Sequence, residues 1–242
     1  AVNYGFLDSN VVSLIGKRDT GVVERVIDGD TIVVNGTHIR LLGINTPEKK
    51  ELYYQEAKEF LEGLVLNKTI EIEYGAERYD KYNRTLAYLI IGENEINAEL
   101  VRNGLANIYI YDTDRHTAEL REAWNTCMQR GKNLCEKSEN PCSLCIELKE
   151  LDVKNQKVVL NNKCDFECNL TNWSIKDEGR KKFFFKNFML EGKSEVKIIV
   201  GNKTNTESVL FWKEDYVWTE AGDSLFLRDE KGKLILWKEI ER

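Results

Sequence analysis

The chain has 242 residues, of which 42% are hydrophobic and 31% charged, and its formal net charge is −6. This length suits two domains that each bury a core, and no stretch approaches the roughly 20 apolar residues of a membrane-spanning helix. The acid excess lies in residues 1–136, which contain 16 basic and 22 acidic side chains. Blanket neutralisation of nucleic-acid phosphates requires a basic protein. Any phosphate ligand must therefore be held by a local cluster of cations.

Residues 1–20 contain a short apolar run, VVSLIG, and no chemical motif. We interpret them as an N-terminal arm or a first strand. Residue 1 is alanine rather than methionine, which is consistent with removal of a secretory signal. We therefore expect a secreted or surface-associated protein, with a cytoplasmic location as the alternative.

Residues 21–136 alternate strand-like and helix-like patterns. The runs GVVERVI, TIVV and THIRLLGI predict a meander with a hairpin at Asn35-Gly36. Residues 51–66 show helical spacing, TIEIEYG and RTLAYLII predict strands, and INAELVRNG and HTAELREAWNTCMQRG predict two more helices. Five strands with inserted helices predict a mainly β fold, a closed barrel of the oligonucleotide/oligosaccharide-binding (OB) type.

The remaining residues have a different pattern. Residues 137–144 are interpreted as a linker, and residues 145–242 contain many short apolar runs separated by Asn, Gly and Asp. This all-β pattern predicts a sandwich of about seven short strands. The basic run Arg180, Lys181 and Lys182 is expected to form a hairpin turn rather than a nucleic-acid patch. Core packing is expected, rather than a ligand surface, for Trp173, Trp212, Trp218 and Trp237.

Side chains suited to phosphate chemistry are concentrated in VIDGDTIVVNGTHIRLLGINTPE, residues 26–48. Hydrolysis of a phosphodiester requires a cation to hold the phosphate, a base for water and positive charge in the transition state. Asp30 can ligate a hard cation, with oxygens of Asn45 and Thr46 completing its shell. The carboxylate of Glu48 is the candidate base. Two planar guanidinium groups, those of Arg40 and Arg84, suit phosphate oxygens.

Four separated motifs, IDGDT, RLLGINTPE, DKYNRTLAY and NAELVRNGLA, resemble the staphylococcal nuclease-like (thermonuclease) family in order and spacing. The resemblance covers roughly residues 20–136. It implies an OB-type barrel with calcium-dependent endonuclease activity on DNA, with RNA as a second substrate, and products that carry 3′-phosphates.

The resemblance also implies a role for each matching residue. Asp30 and the main-chain oxygen of Thr46 would be calcium ligands, and Glu48 would be the general base. Arg40 and Arg84 would clamp the phosphate. Binding of the nucleotide would fall to Lys81, Tyr82, Tyr109 and Tyr111.

Asn45 departs from the family pattern, because the best-known members carry a second metal-binding aspartate there. The amide oxygen of asparagine can still ligate calcium, but one negative charge is lost. We expect activity to persist with a raised metal requirement, and Asp28 to compensate through a water molecule.

Each motif also has a structural interpretation. Asp-Gly-Asp is common in turns, surface arginines form weak ion pairs, and Lys81 with Tyr82 could form a solvated turn. Tyr109 and Tyr111 could pack against a core. His38 and His116 show no spacing for catalysis and are expected to be structural.

Residues 145–242 resemble the lamin tail domain, on IELKELDVKNQKVVLNN, LTNWSI, FFFKNFMLEGKSEVKIIVG, VWTEAGDSLFLRD and EKGKLI. The resemblance implies an immunoglobulin-like sandwich with a binding or attachment role. An envelope component or a protein is its candidate ligand, and we expect the whole chain to be a monomer.

Six cysteines surround the predicted linker: Cys127, Cys135, Cys142, Cys145, Cys164 and Cys168. Their even number favours disulfides, in any of 15 pairings. The alternatives are free thiols or a four-thiolate zinc site formed by the last four cysteines.

The function expected from the sequence is a calcium-dependent endonuclease with an accessory sandwich domain. The alternatives are a catalytically inactive module that binds nucleic acid or protein, and a surface adhesion protein. The joint presence of Asp30, Arg40, Glu48 and Arg84 favours the enzyme.

Overall fold

The computed structural model describes residues 18–110 and 112–240. The predicted arm therefore lies outside the described residues, apart from its last three positions. Two compact units divide the chain: residues up to Ile108 with Thr113–Cys127, and Tyr109–Asp112 with Met128 onward. No helix in the described part of the chain is long and apolar enough to cross a membrane.

The first unit is built on a six-stranded sheet whose order is β3-β2-β1-β5-β6-β7. A further, parallel pairing of β3 with β6 closes five of these strands into a barrel. The closed barrel confirms the predicted OB-type fold. Its strands are β1 (Arg18–Asp28), β2 (Thr31–Val34), β3 (Thr37–Leu41), β5 (Thr69–Tyr79) and β6 (Thr85–Ile91), and β7 (Asn94–Glu95) extends the edge.

The predicted hairpin at Asn35-Gly36 is confirmed. Both residues have positive φ, 49° and 70° respectively, as a tight turn between twisted antiparallel strands requires. β2 pairs with β3 across this turn, with Thr31 opposite Arg40. The turn therefore fixes the register that places the functional residues of the two strands side by side.

Three helices pack around the barrel: α1 (Tyr54–Val65), α2 (Ile96–Arg102) and α3 (Thr117–Arg130). Helix α1 buries Ala57, Leu61 and Val65, three of the five residues that helical spacing predicts on one face. The other two, Tyr54 and Leu64, are half-buried. Gly104 and Gly131, which follow α2 and α3, have positive φ, as expected for glycines at helix ends.

His116 is structural, as predicted. Its Nδ1 lies 2.6 Å from a Glu95 oxygen and its Nε2 lies 3.0 Å from a Glu73 oxygen. Arg18 also donates to the buried Glu73, at 3.1 Å. This network ties β1, β5 and the start of α3 together.

The second unit contains two four-stranded sheets, in the orders β16-β15-β10-β9 and β13-β12-β17-β18, and a two-stranded ladder β11-β14. One hydrophobic core joins residues of both larger sheets, so the unit is a β-sandwich. Its strands are β9 (Ile146–Asp152), β10 (Lys157–Asn162), β11 (Cys168–Asn169), β12 (Ser174–Lys176), β13 (Lys182–Phe184), β14 (Met189–Leu190), β15 (Glu195–Val200), β16 (Val209–Trp212), β17 (Asp223–Arg228) and β18 (Leu234–Ile240).

Tryptophans fill this core as the sequence predicts. Trp173, Trp212 and Trp218 are each at most 3% exposed, and Trp237 on β18 is half-buried. The basic run forms the end of the β12–β13 hairpin, as predicted, with Lys176 paired to Lys182.

All six cysteines are disulfide-bonded, as their even number favoured. Cys142 bonds to Cys168, and Cys145 bonds to Cys164 inside that loop. The zinc alternative is wrong, because the four thiolates that it needs are consumed in these two bonds.

Candidate phosphate-binding site of the barrel

The site begins at the turn between β1 and β2, where Asp28, Gly29 and Asp30 follow one another. The Asp30 amide donates to Asp28 Oδ1 at 3.1 Å. Burial, and then the charge of Asp30, raise the pKa of Asp28. A Cβ atom on Gly29 would lie 2.8 Å from the Ala57 Cβ and 2.9 Å from the Thr46 Cβ. Glycine therefore allows the turn to press against α1 and the chain after β3.

Asp30 is 3% exposed and lies at the centre of the site. Its Oδ2 accepts from the amide and the hydroxyl of Thr46, at 3.2 and 3.1 Å. Its Oδ1 accepts from the Thr31 hydroxyl at 3.1 Å and lies 3.3 Å from Arg40 Nε. One carboxylate thus joins β2, β3 and the segment that follows Asn45.

Arg40 lies on β3 and is 7% exposed. Its guanidinium donates to the main-chain oxygen of Ile44 at 2.7 Å, and also to the Leu41 oxygen and to Asn45 Oδ1. These contacts and the ion pair with Asp30 fix the plane of the guanidinium. A buried arginine held in this way presents its charge in one orientation.

Asn45 and Thr46 are positioned by short elements that follow the barrel strands. β4 (Ile44–Asn45) pairs with β8 (Asn107–Ile108), with Asn45 opposite Asn107. The buried amide of Asn97 on α2 donates to the Leu42 oxygen at 2.8 Å. The loop from 42 to 46 is therefore held from two sides, which brings Thr46 to Asp30 and Asn45 to Arg40.

Arg84 reaches the same place from the turn between β5 and β6. Its Nη1 lies 3.5 Å from the Thr31 hydroxyl, which in turn donates to Asp30. The two predicted arginines therefore converge on one carboxylate, although 44 positions separate them in the chain.

Asp80 is a residue of the site that the sequence prediction missed. Its Oδ2 accepts from Arg84 Nε at 2.7 Å, and its Oδ1 accepts from the amides of Tyr82 and Arg84, both at 2.9 Å. Burial alone would raise the pKa of Asp80, but these hydrogen bonds outweigh it and hold the pKa below its ordinary value. The sequence feature that could have identified Asp80 is its position at the start of a turn, four residues before Arg84.

Other predicted residues lie around this centre. Tyr82 is 65% exposed, with Lys81 Nζ 5.1 Å and Arg84 Cζ 5.5 Å from its ring centroid. Glu48 is exposed two positions after Thr46, and its amide donates to Glu51 at 2.9 Å. Tyr109 is half-buried and belongs to the second compact unit. Tyr111 lies outside the described residues.

The side chains at the turn suit a hard cation by donor type. Asp30 and Thr46 offer oxygens and Asn45 offers its amide oxygen, the ligand atom that calcium takes, and Asp28 adds a second carboxylate next to Asp30. Among residues 18–110 and 112–240, no group of three His, Cys, Asp or Glu side chains surrounds a metal position. A cation here would therefore depend on neutral amide and main-chain oxygens.

The fold is a closed OB-type barrel, and Arg40 and Arg84 meet around the buried Asp30 as a candidate phosphate site. Comparison with known proteins gives the family. The family model described as "Staphylococcal nuclease homologue" matches residues 38–137.

Individual relatives agree with that match. The chain is 32% identical over 132 residues to a "Thermonuclease" of Staphylococcus intermedius, which covers 50% of this chain and 79% of that protein. A "Thermonuclease" of Staphylococcus hyicus is 32% identical over 129 residues, 49% of this chain and 76% of the relative. An "Uncharacterized endonuclease" of Escherichia coli O157:H7 is 37% identical over 100 residues, 39% of this chain and 64% of the relative. The chain belongs to the staphylococcal nuclease family.

Proposed function

We propose that this protein is a calcium-dependent endonuclease that hydrolyses phosphodiester bonds of DNA, with RNA as a second substrate. The observation that carries the proposal is the convergence of Arg40 and Arg84 on the buried Asp30 through Thr31. The names of the relatives, two thermonucleases and an endonuclease, support the same activity.

Arg40 and Arg84 have complementary parts in this proposal. Arg40 is buried and fixed by main-chain oxygens, so it supplies preorganised positive charge. Arg84 has a side chain 22% exposed; its Nε and Nη2 bind Asp80, and its Nη1 makes only a long contact of 3.5 Å to the Thr31 hydroxyl. A phosphate that arrives from solvent can replace this long contact. Together they stabilise the extra negative charge of the transition state.

Glu48 faces solvent next to the segment that binds Asp30. We assign it the role of general base, which accepts a proton from the attacking water. Tyr82 and Lys81 hold the neighbouring nucleotide on an exposed aromatic face and a cation. Roles of Tyr109 and Tyr111 in nucleotide binding are proposed from the family resemblance alone.

Asp30, Asn45 and Thr46 would hold the calcium ion, which when bound supplies positive charge against the phosphate oxygens. The replacement of a family aspartate by Asn45 lowers the negative charge of the donor set. We therefore propose a calcium requirement higher than that of a site with two aspartates.

The sandwich is proposed to be an accessory binding or attachment domain of the lamin tail type. Six disulfide-bonded cysteines suit an oxidising compartment. We propose secretion or surface attachment on that ground.

Cleavage of supercoiled plasmid tests the proposal. Wild type is incubated with calcium, with magnesium and with chelator, beside Glu48→Gln and the exposed-residue control Glu24→Gln. We expect calcium-dependent nicking by wild type and the control, and a loss of at least 100-fold for Glu48→Gln. If wild type cleaves neither DNA nor RNA with any divalent ion but still binds nucleic acid, the protein is a binding module instead.

A further inference from the structure

A cavity of about 560 Å³ opens at the end of the barrel, on the other face of the turn that carries Arg84. Its floor is formed by Val34, Ile39 and Ile72, which belong to β2, β3 and β5. Its rim carries polar and aromatic side chains. These are Asp19, Thr20, Asn35, Thr37, Tyr74, Arg78, Tyr79, Asn83 and Thr85.

The cavity exists because β5 leaves its ladder near its end. Tyr74 pairs with Ala87 and Tyr79 pairs with Thr85, so four residues of β5 lie opposite one residue of β6. A Cβ on Gly75 would lie 2.5 Å from Leu42 Cδ1, so glycine permits this excursion. The extra residues keep the strands apart and bring Arg78 back above Tyr74, 3.2 Å from the ring centroid.

Flat surfaces and fixed acceptors line the rim. Tyr79 is 55% exposed, and the Arg78–Tyr74 stack offers a second flat surface. The Tyr74 hydroxyl donates to Asp19 Oδ2 at 2.8 Å and fixes that carboxylate. Aromatic and guanidinium planes stack on nucleobases, and a carboxylate accepts from the amino or imino groups of a base. The Asp19 charge disfavours a phosphate at the same point.

The position of the cavity relates it to the phosphate site. Arg84 contacts Thr31, whereas its two chain neighbours, Asn83 and Thr85, line the cavity. A nucleic-acid strand that crosses this turn can therefore leave a phosphate at Arg84 and turn a base over the rim. The volume is in the usual range for a small organic ligand, roughly 300–1,000 Å³.

We propose that this cavity is a second nucleotide subsite, which receives an unpaired base of the substrate strand one or two nucleotides from the cleaved bond. The inference rests on the proposed nuclease function. Its consequence is a KM that falls once the substrate is long enough to reach from Arg84 to Tyr79, because only then can a base occupy the cavity.

Variants of Tyr79 test the subsite through substrate length. Steady-state kinetics are measured on single-stranded oligothymidylates of roughly two to eight nucleotides, a range that spans the usual binding site sizes of such barrels. For Tyr79→Ala we expect the KM on the longest substrates to rise about tenfold, the loss of one stacked base. On the shortest substrates the ratio of variant to wild-type KM should approach one. Tyr79→Phe should keep the wild-type KM on long substrates, because phenylalanine retains the aromatic ring that stacks on the base.

The matched control is Tyr216→Ala in the second unit, an exposed tyrosine with Lys181 Nζ 3.4 Å from its ring centroid. It should change no kinetic constant. Equal KM ratios for Tyr79→Ala at every length, with wild type active, would overturn the subsite and leave the nuclease proposal standing.

Inactive wild type would instead count against the nuclease proposal, and binding then decides the subsite separately. Fluorescence anisotropy of a labelled eight-nucleotide oligothymidylate is measured with wild type, Tyr79→Ala and Tyr216→Ala. Weaker binding by Tyr79→Ala alone supports the cavity. Equal affinities of all three proteins, or absence of binding by wild type, refute it.

Discussion

Asn45 stands where the family resemblance implies a metal-binding aspartate. Its Oδ1 accepts from the Arg40 guanidinium, so in this structure the amide fixes an arginine. An aspartate at this position could serve the same purpose with one more negative charge. The departure therefore affects charge rather than geometry.

Asn45→Asp should bind calcium more tightly than wild type, by roughly tenfold, because a hard cation gains an anionic ligand. Isothermal titration with calcium alone measures this directly, without activity as the readout. Asn103→Asp, a polar change outside the site, is the control. Unchanged or weaker calcium binding by Asn45→Asp would place Asn45 outside the ligand set.

Asp80 positions Arg84 through a side-chain ion pair and holds its turn through two amides. Asp80→Asn keeps an acceptor for the amides but loses the charge beside Arg84. We expect kcat/KM to fall about tenfold while the unfolding midpoint changes little, and Asp80→Glu to restore part of the loss. Asp152→Asn, a turn aspartate of the second unit that accepts from the Asn155 amide, is the matched control.

The pH profile distinguishes positioning from a general structural effect. Hydrogen bonds hold the pKa of Asp80 below its ordinary value, so its contribution is present at neutral pH and is lost only as pH falls through that lowered pKa. Wild type should therefore keep Arg84 in place down to acidic pH. Asp80→Asn should show its defect at every pH above that lowered pKa, and a defect confined to low pH would contradict this role.

At the scale of elements, the β1–β2 turn depends on a close approach to helix α1. Gly29→Ala should lower the free energy of unfolding by about 1–3 kcal/mol, because the new methyl group meets Ala57 and Thr46. Gly63→Ala on the open face of α1 is the control, since nothing lies within 4 Å of its Cβ position. That change should stabilise by about 0.5–1 kcal/mol. Denaturant unfolding compares the two, and a neutral Gly29→Ala would show that the turn moves freely.

The β12–β13 hairpin should make the sandwich sensitive to pH. Burial raises the pKa of Asp177 to about 6, so the folded state binds its proton more tightly than the unfolded chain does. Stability is therefore greater near pH 4 than at pH 7, and declines as pH rises through about 6. The shift corresponds to a difference on the order of 3 kcal/mol.

Asp177→Asn should flatten this decline, as measured by the denaturant midpoint of the second unit between pH 4 and pH 8. The raised pKa of Asp223, also caused mainly by burial, leaves a smaller residual slope. Asp215→Asn, at an exposed position of the same unit, should retain the wild-type slope. A wild-type midpoint that rises with pH across this window would reverse the assigned sign.

At the scale of the whole molecule, local sequence patterns were sufficient to predict individual helices and hairpins. The spacing of Ala57, Leu61 and Val65 predicts the buried stripe of α1, and Asn35-Gly36 predicts the hairpin, since both depend on nearest neighbours along the chain. Both predictions are confirmed. The even number of cysteines likewise favoured disulfides.

Features that depend on contacts between residues far apart in the sequence could not be predicted from local patterns. Six cysteines leave 15 pairings open, and only the folded loop brings Cys145 to Cys164. The four-residue excursion of β5 opens a cavity. Neither Gly75 nor Arg78 predicts that excursion from the sequence alone. The hold of Asp80 on Arg84 depends on a turn in which Asn83 adopts a positive φ of 62°.

Residue roles in the site and the boundaries of the two domains remain predictions, and so do the lamin tail resemblance and the secreted location. The barrel and its family are established independently of them. The matched relatives account for about half of the chain, so the contribution of the sandwich to activity is a separate question.

Single-turnover cleavage by Arg84→Ala is the measurement that tests the central claim most directly. Arg84 joins the two parts of the site, and its removal leaves the buried Asp30–Arg40 pair in place. For Arg84→Ala the calcium-dependent rate should fall by about 100- to 1,000-fold. The control Arg25→Ala, which changes an exposed arginine of the same barrel, should keep the wild-type rate. Rates within twofold for wild type, Arg84→Ala and Arg25→Ala would contradict a phosphate site built on Arg84.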